Sequence, residues 1–251
     1  MRAHRVSPLT WVATYFRLLA VQGSWNYETL LGNGIGFTAE PALRSLPGGV
    51  GGGEYLEALA REARYFNAHP YLASVAVGAL IRAELDGVEP QTIERFRTAL
   101  CSPLGSLGDQ LVWTAWLPFC SLLSLAAFGL GASALVVVLV FLLTYNAGHL
   151  ALRAWGLAVG YRRGLAVANA LNNQLLRHAP MHIARVATVL AGFAVPLALH
   201  RAVGGELSLA LYTAGAAFIG ALILARIAVR SQGWRVALGL VAILVLYGVT
   251  R

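Results

Sequence analysis

From Gln110 to Leu152 the chain carries no Asp, Glu, Lys or Arg. A spanning helix needs about 20 mostly apolar residues, so this run is long enough for two. The chain therefore reads as an integral membrane protein. The rest of the composition agrees: 58% of the residues are hydrophobic and 12% charged, with a mean hydropathy of +0.66, where a soluble domain carries about 25% charged residues. Charge also divides the chain. Residues 1–109 hold 10 of the 11 acids and 9 of the 19 arginines, a net −1, whereas residues 110–251 hold 1 acid and 10 arginines, a net +9. The expected fold is an all-α integral membrane protein in two parts. Residues 1–109 form amphipathic helices with broken or re-entrant helical hairpins, and residues 110–251 form a body of about five transmembrane helices.

The spans fall near 111–129, 131–152, 183–200, 207–225 and 234–249. Arg153, Arg162, Arg163, Arg177 and Arg185 lie between the second and third, and Arg226, Arg230 and Arg235 between the fourth and fifth. Short arginine-rich connections stay on the cytoplasmic side. That rule places the N-terminus in the cytoplasm and the C-terminus outside. Residues 153–182 are too polar to span and read as a cytoplasmic or re-entrant segment. A pI near 10.1 follows from this topology and does not indicate nucleic acid, because the arginines sit between apolar runs rather than beside base-stacking aromatics. Cys101 and Cys120 are too few for a disulfide framework and read as buried thiols. No cleaved signal peptide is expected: polar residues from Gln22 to Glu28 interrupt the N-terminus before a long apolar core develops.

Ser7 or Thr10 can cap a first helix that carries Trp11, Tyr15, Leu18 and Leu19 at helical spacing, suited to lying on the membrane surface. The polar and aromatic run from Gln22 to Glu28, and the glycines at 32, 34 and 36 after it, read in two ways. They form an interfacial loop, or Gln22, Trp25 and Asn26 face a polar ligand, since amides beside an aromatic face suit a sugar. Residues 47–53, with five glycines, read as a linker. A helix over 54–66 places Leu56, Leu59, Ala63 and Phe66 on one face. Asn67, His69 and Pro70 stop it, because proline offers no N–H and pushes the preceding residue out of the helical region. The apolar stretch 71–81 that follows is only half a spanning helix. Backbone broken at membrane depth persists where protein or a water-filled cavity covers it, as in many transporter sites. After an amphipathic helix over 91–100, Pro103, Gly105 and Gly108 imply a second break. Asp109 there either caps the next helix or serves a ligand.

Catalytic motifs are absent from the sequence: there is no phosphate loop, CxxC, HExxH or GxSxG. His149, His178, His182 and His200 lack carboxylate partners at metal spacing, so neither a metal nor a cofactor is expected. The candidate site is the first break. Asn67 and His69 would hydrogen-bond a polar ligand, Trp25 would offer an aromatic face, and Gln22, Asn26 and Asp109 would assist. Each also has a structural reading, Asn67 as a helix C-cap and His69 as a satisfied buried histidine.

Four stretches stand in a familiar order: Gln22-Gly23-Ser24-Trp25-Asn26-Tyr27-Glu28, Tyr65-Phe66-Asn67-Ala68-His69-Pro70, Pro103-Leu104-Gly105-Ser106-Leu107-Gly108-Asp109, and Arg153 with Gly160-Tyr161 and Gly164. Over roughly residues 10–170 the chain resembles the IID membrane subunit of mannose/fructose/sorbose-family sugar phosphotransferase systems. It departs from that pattern at Ala83, where a Glu-Glu pair is usual, and at Gln110, where proline is. The resemblance implies a multi-pass subunit of the bacterial cytoplasmic membrane that pairs with a IIC subunit, in a trimer of IIC–IID units, to move a hexose-type sugar. Cytoplasmic IIA and IIB proteins would phosphorylate the sugar through histidines of their own, leaving this chain non-catalytic. The alternative is a membrane scaffold or regulatory subunit that binds phosphotransfer proteins and moves no sugar.

Overall fold

In a computed structural model, residues 6–202 together with Gly204 and Gly215 are described. Within them the chain is helical, with two isolated β-bridges, Asn26 to Leu30 and Leu30 to Phe66. The elements are α1 (Pro8–Leu18), α2 (Gly32–Leu43), α3 (Gly53–Glu62), α4 (Ala73–Leu85), α5 (Pro90–Gly108), a π-helical stretch (Asp109–Trp116), α6 (Leu117–Gly129), α7 (Ala134–Arg163), a 3-10 turn (Gly164–Ala166), α8 (Val167–Leu171) and α9 (Gln174–Ala202). Three helical runs are long and apolar enough to cross a membrane, Pro90–Gly129, Ala134–Leu171 and Leu176–Ala202. They contain the first and third expected spans and all of the second but residues 131–133. The expected spans at 207–225 and 234–249 lie outside the described residues.

Local chemistry sets the helix starts. Ser7 caps α1 by accepting the Thr10 N–H at 3.1 Å, with Pro8 in the first turn. The Glu89 carboxylate caps α5 by accepting the N–H groups of Gln91 at 3.0 Å and Thr92 at 2.8 Å. The glycine-rich stretch turns through Gly48, Gly49 and Gly51, all at positive φ, into α3. That helix buries Tyr55, Ala58 and Glu62 and leaves Leu56 exposed. Of the expected apolar face over 54–66, Leu59 and Phe66 do pack on the core, but α3 ends at Glu62 and its buried face also takes in the Glu62 carboxyl, which an arginine on α5 meets. The glycines at 32, 34 and 36 belong to a helix, α2, rather than to a loop. They lie in its buried face, against the backbone of Val21 and residues 63–64.

The centre of the N-terminal part is α4, whose residues from Ala73 to Ile81 are all buried. The half-helix predicted from its length is thus sheathed by protein. Its closest neighbour is α7, which continues well beyond the apolar run: Arg153, Gly156, Leu157 and Gly160 are buried on it. Residues 153–163, expected within a cytoplasmic or re-entrant segment, are thus the continuation of α7. The arginine is carried inside because α4 and α7 meet backbone to backbone. A Cβ on Gly160 would strike Val75 O and the Ala79 N–H, and one on Gly78 would strike Leu157 O. Gly160→Ala is accordingly expected to lower the unfolding free energy by about 1–3 kcal/mol. Gly192→Ala, where a Cβ meets open space, is expected to leave it unchanged or raise it by up to about 1 kcal/mol. Thermal melts of the two variants in detergent check this.

The second predicted break is not a break. Pro103, Gly105 and Gly108 are inside α5, and Asp109 has helical dihedrals (φ −62, ψ −43) rather than those of an N-cap. The ladder shifts register instead: the Leu117 N–H bonds to Val112 O, and the hydroxyl of Thr114 reaches Asp109 O at 3.3 Å. Pro118 follows immediately. Having no N–H, it would interrupt an α-helical ladder, and a π stretch absorbs such an interruption without ending the helix. The 1–109 and 110–251 division therefore falls inside one continuous helical run. Beyond it, α6 packs on α7 and α9, and Arg201 closes the C-terminal end of α6, donating to Phe128 O within it and, at 2.9 Å, to Ala132 O in the turn that follows.

Candidate functional site

The continuous α5 brings the two sequence motifs together. Gly108 is opposite His69, so closely that a Cβ would collide with the imidazole. The chain bend at 67–70 therefore rests directly on the helix. Between them is a cavity of about 460 Å³, lined from the bend by Tyr65, Asn67, Ala68, His69 and Pro70 and from the helix by Cys101, Ser102, Gly105, Ser106 and Asp109. Ser102, Ser106 and Asp109 share a face because their spacing is i, i+4, i+7. An amide, two hydroxyls, a phenol and a carboxyl thus converge on one space.

His69 is the buried member, 2% exposed. Its Nδ1 accepts the Tyr71 N–H at 3.2 Å, so the ring proton belongs on Nε2, which is buried and has no partner. Burial, helped by the Arg153 cation, pushes its pKa down to about 4, so the ring is neutral near pH 7. Behind it, Tyr71 stacks on His149 with centroids 5.0 Å apart, bonds Tyr145 through their hydroxyls at 2.7 Å, and accepts the Arg153 guanidinium over its ring at 4.6 Å. Arg153 also donates to Leu18 O and meets no carboxylate among the described residues.

Of the other sequence candidates, Gln22, Trp25 and Asn26 are not among the lining residues. The Asn26 amide is committed to its own turn: Oδ1 accepts the N–H groups of Glu28 and Thr29 at 2.9 Å, and Nδ2 donates to Ser24 O at 3.2 Å and Thr29 Oγ1 at 2.9 Å. Trp25 is 46% exposed and packs edge-on against Tyr27. The sequence reading missed Tyr65, Ser102 and Ser106. The helical spacing of the two serines with Asp109 was the available signal, masked by the break expected there. A second cavity of about 330 Å³, lined by Tyr71, Trp116, His149 and Trp155 among others, is almost wholly apolar. It does not suit a hydroxylated ligand.

A charge network fixes the cavity walls. Arg61 on α3 forks onto Glu84 of α4, both bonds 2.8 Å long. Arg97 on α5 bonds Glu62 and, at 2.9 Å, Arg64 O. Complete burial raises the Glu62 pKa, with the adjacent Glu84 adding to the shift and Arg97 opposing it. Glu62 Oε1 otherwise has no partner, and a proton there would be donated to Glu84. No three His, Cys, Asp or Glu residues cluster for a metal among the described residues.

A family model described as "PTS system mannose/fructose/sorbose family IID component" matches residues 6–211. The chain belongs to this family. The mannose-specific EIID component of Escherichia coli K12 is 28% identical over 171 residues, covering 65% of this chain and 58% of that protein. The Bacillus subtilis fructose permease IID component is 29% identical over 58% of this chain and 53% of that protein. The sorbose-specific EIID component of Lacticaseibacillus casei is 32% identical over 56% and 49% respectively. The chain thus spans about half the length of the curated relatives it matches. Its fold is similar to a chain in a solved complex of the mannose transporter ManYZ with microcin E492, with a TM-score of 0.59, 21% identity and 96% of each chain covered. A second solved membrane protein gives 0.66 at 25% identity over 75% of this chain and 70% of that one. Among the described residues, the bend at 67–70 and the α5 face opposite it enclose a polar cavity.

Proposed function

We propose that this IID chain is a non-catalytic subunit of a phosphotransferase-system sugar permease in the bacterial cytoplasmic membrane. It forms the translocation path with a IIC subunit, in a trimer of such pairs, for a hexose-type sugar that IIA and IIB proteins phosphorylate. The observation that carries this reading is the polar cavity at the broken helix within a family-matched membrane chain. Asn67, Ser102, Ser106 and Asp109 give a hydroxylated ring both donors and acceptors, and the His69 Nε2–H is a buried donor without a protein partner. The names of the relatives, specific for mannose, fructose and sorbose, support the sugar class. The arginines at the connection of α7 to α9 support a cytoplasmic location for that end and for the N-terminus, with the C-terminus extracytoplasmic. The test is co-expression with the neighbouring IIC gene and binding of radiolabelled mannose, fructose and sorbose to the purified pair. Binding that needs both subunits is the expected result. A stable pair that binds none of these sugars overturns it in favour of a scaffold.

A further inference from the structure

Two cavities outside the polar site meet at one side chain. The first is a groove of about 600 Å³ between α1 and α7, lined by Trp11, Val12, Tyr15 and Phe16 on one side and by Ala154, Leu157 and Ala158 on the other, ending at Tyr161 and Arg162. The second is a recess of about 290 Å³ at the C-terminal end of α7, and Arg162 lines it too, with Arg163, Arg82, Asp86 and the turn at Gly164. Its charges do not balance. Arg82 is neutralised by Asp86 at 2.6 Å, whereas Arg162 and Arg163 meet no carboxylate among the described residues. Arg162 spends Nε on Ala158 O of its own helix at 3.2 Å, which leaves its η nitrogens for another acceptor. An apolar channel thus opens onto two uncompensated, exposed guanidiniums at the end of a membrane-length helix, with Trp11 and Tyr15 at the flank where interfacial aromatics belong.

The geometry points to a binding site for an anionic phospholipid, with an acyl chain in the α1–α7 groove and the phosphate on Arg162 and Arg163. Guanidiniums bind phosphate oxygens through paired, charge-assisted hydrogen bonds, and basic recesses beside membrane helices select acidic head groups. The mostly apolar groove with a cationic end matches a molecule that is apolar along its length and anionic at one tip. A partner helix would find the apolar wall but leave the two cations unpaired.

The experiment is native mass spectrometry of the full chain, delipidated in detergent and offered equal amounts of dioleoyl phosphatidylglycerol and dioleoyl phosphatidylcholine. Wild type is expected to retain phosphatidylglycerol about tenfold over phosphatidylcholine. The double variant Arg162→Gln/Arg163→Gln is expected to lose that preference. Ala154→Phe/Ala158→Phe, which fills the groove from exposed positions, should lose the lipid while keeping its melting temperature. Arg177→Gln, an exposed arginine outside the recess, should bind as wild type does. Equal retention of both lipids, or an equal loss in Arg177→Gln, overturns the proposal. So does displacement by millimolar inorganic phosphate, which would mark a free-phosphate site. Retention of no lipid by wild type, the result if another segment or partner fills the groove, overturns it as well.

Discussion

Replacing Arg97 by methionine is expected to cost about 3 kcal/mol of stability, read as a lower thermal midpoint of the detergent-purified protein. Arg97 is 4% exposed and serves two acceptors, the fully buried Glu62 carboxyl and the partly buried Arg64 O. Methionine fills much of the volume but donates nothing, and each stranded acceptor costs roughly 1–3 kcal/mol. Arg95→Met, on an exposed position of the same helix, is expected to stay within about 0.5 kcal/mol of wild type. The partner variant Glu62→Gln separates charge from hydrogen bonding. Glutamine can accept from Arg97 and donate to Glu84 as a protonated Glu62 would, so it is expected to be tolerated. Its effect also has a definite sign with pH. Glu62 has its folded pKa raised from 4.5 to about 8, so its contribution is fully present below about pH 4.5 and is lost as pH rises through about 8. The wild-type midpoint therefore falls across that window relative to Glu62→Gln. Parallel curves for the two proteins would show that Glu62 holds no proton.

The second large effect falls on transport. With the IIC partner present, Asp109→Asn is expected to weaken sugar binding about 10–100-fold, the range for removing a hydrogen bond to a charged group, and Asn67→Ala by about tenfold. Both side chains are exposed at the cavity mouth, so assembly with the partner should be unchanged. Uptake assays read the effect as a raised KM. Wild-type uptake in both variants, with normal assembly, removes the site assignment.

Part of this architecture was legible in the chain. The uncharged run from Gln110 to Leu152 announced the membrane, Asn67 to Pro70 announced a bend, and the pair Ser7 or Thr10 announced the start of α1, with Ser7 proving to be the cap. What escaped reading shares one physical cause, the close approach of elements distant in sequence. Glycine costs a helix about 1 kcal/mol, so the glycines at 32, 34 and 36 and those at 105 and 108 signalled loops or breaks. In the fold they are helical, and Gly108 offsets its cost by seating His69. Pro103 removes a single hydrogen bond, which a long helix survives. Arg153 read as the start of a cytoplasmic or re-entrant segment because nothing in its neighbours reveals that the Tyr71 ring and Leu18 O will surround it. Asn67, His69 and Asp109 were found as separate residues. Their convergence depends on α5 being continuous, which local propensity argued against.

The paired arginines and glutamates joining α3, α4 and α5 bear on how a ligand would be held. Both faces of the polar cavity are fastened to that network, the bend through Arg64 O and the helix through Arg97. A ligand entering there meets backbone that folding has already ordered, so little of its binding free energy is diverted into freezing loops. Titration calorimetry of such a site would show a small conformational entropy loss on the protein side, with side chains of exposed residues such as Asn67 and Asp109 supplying most of it.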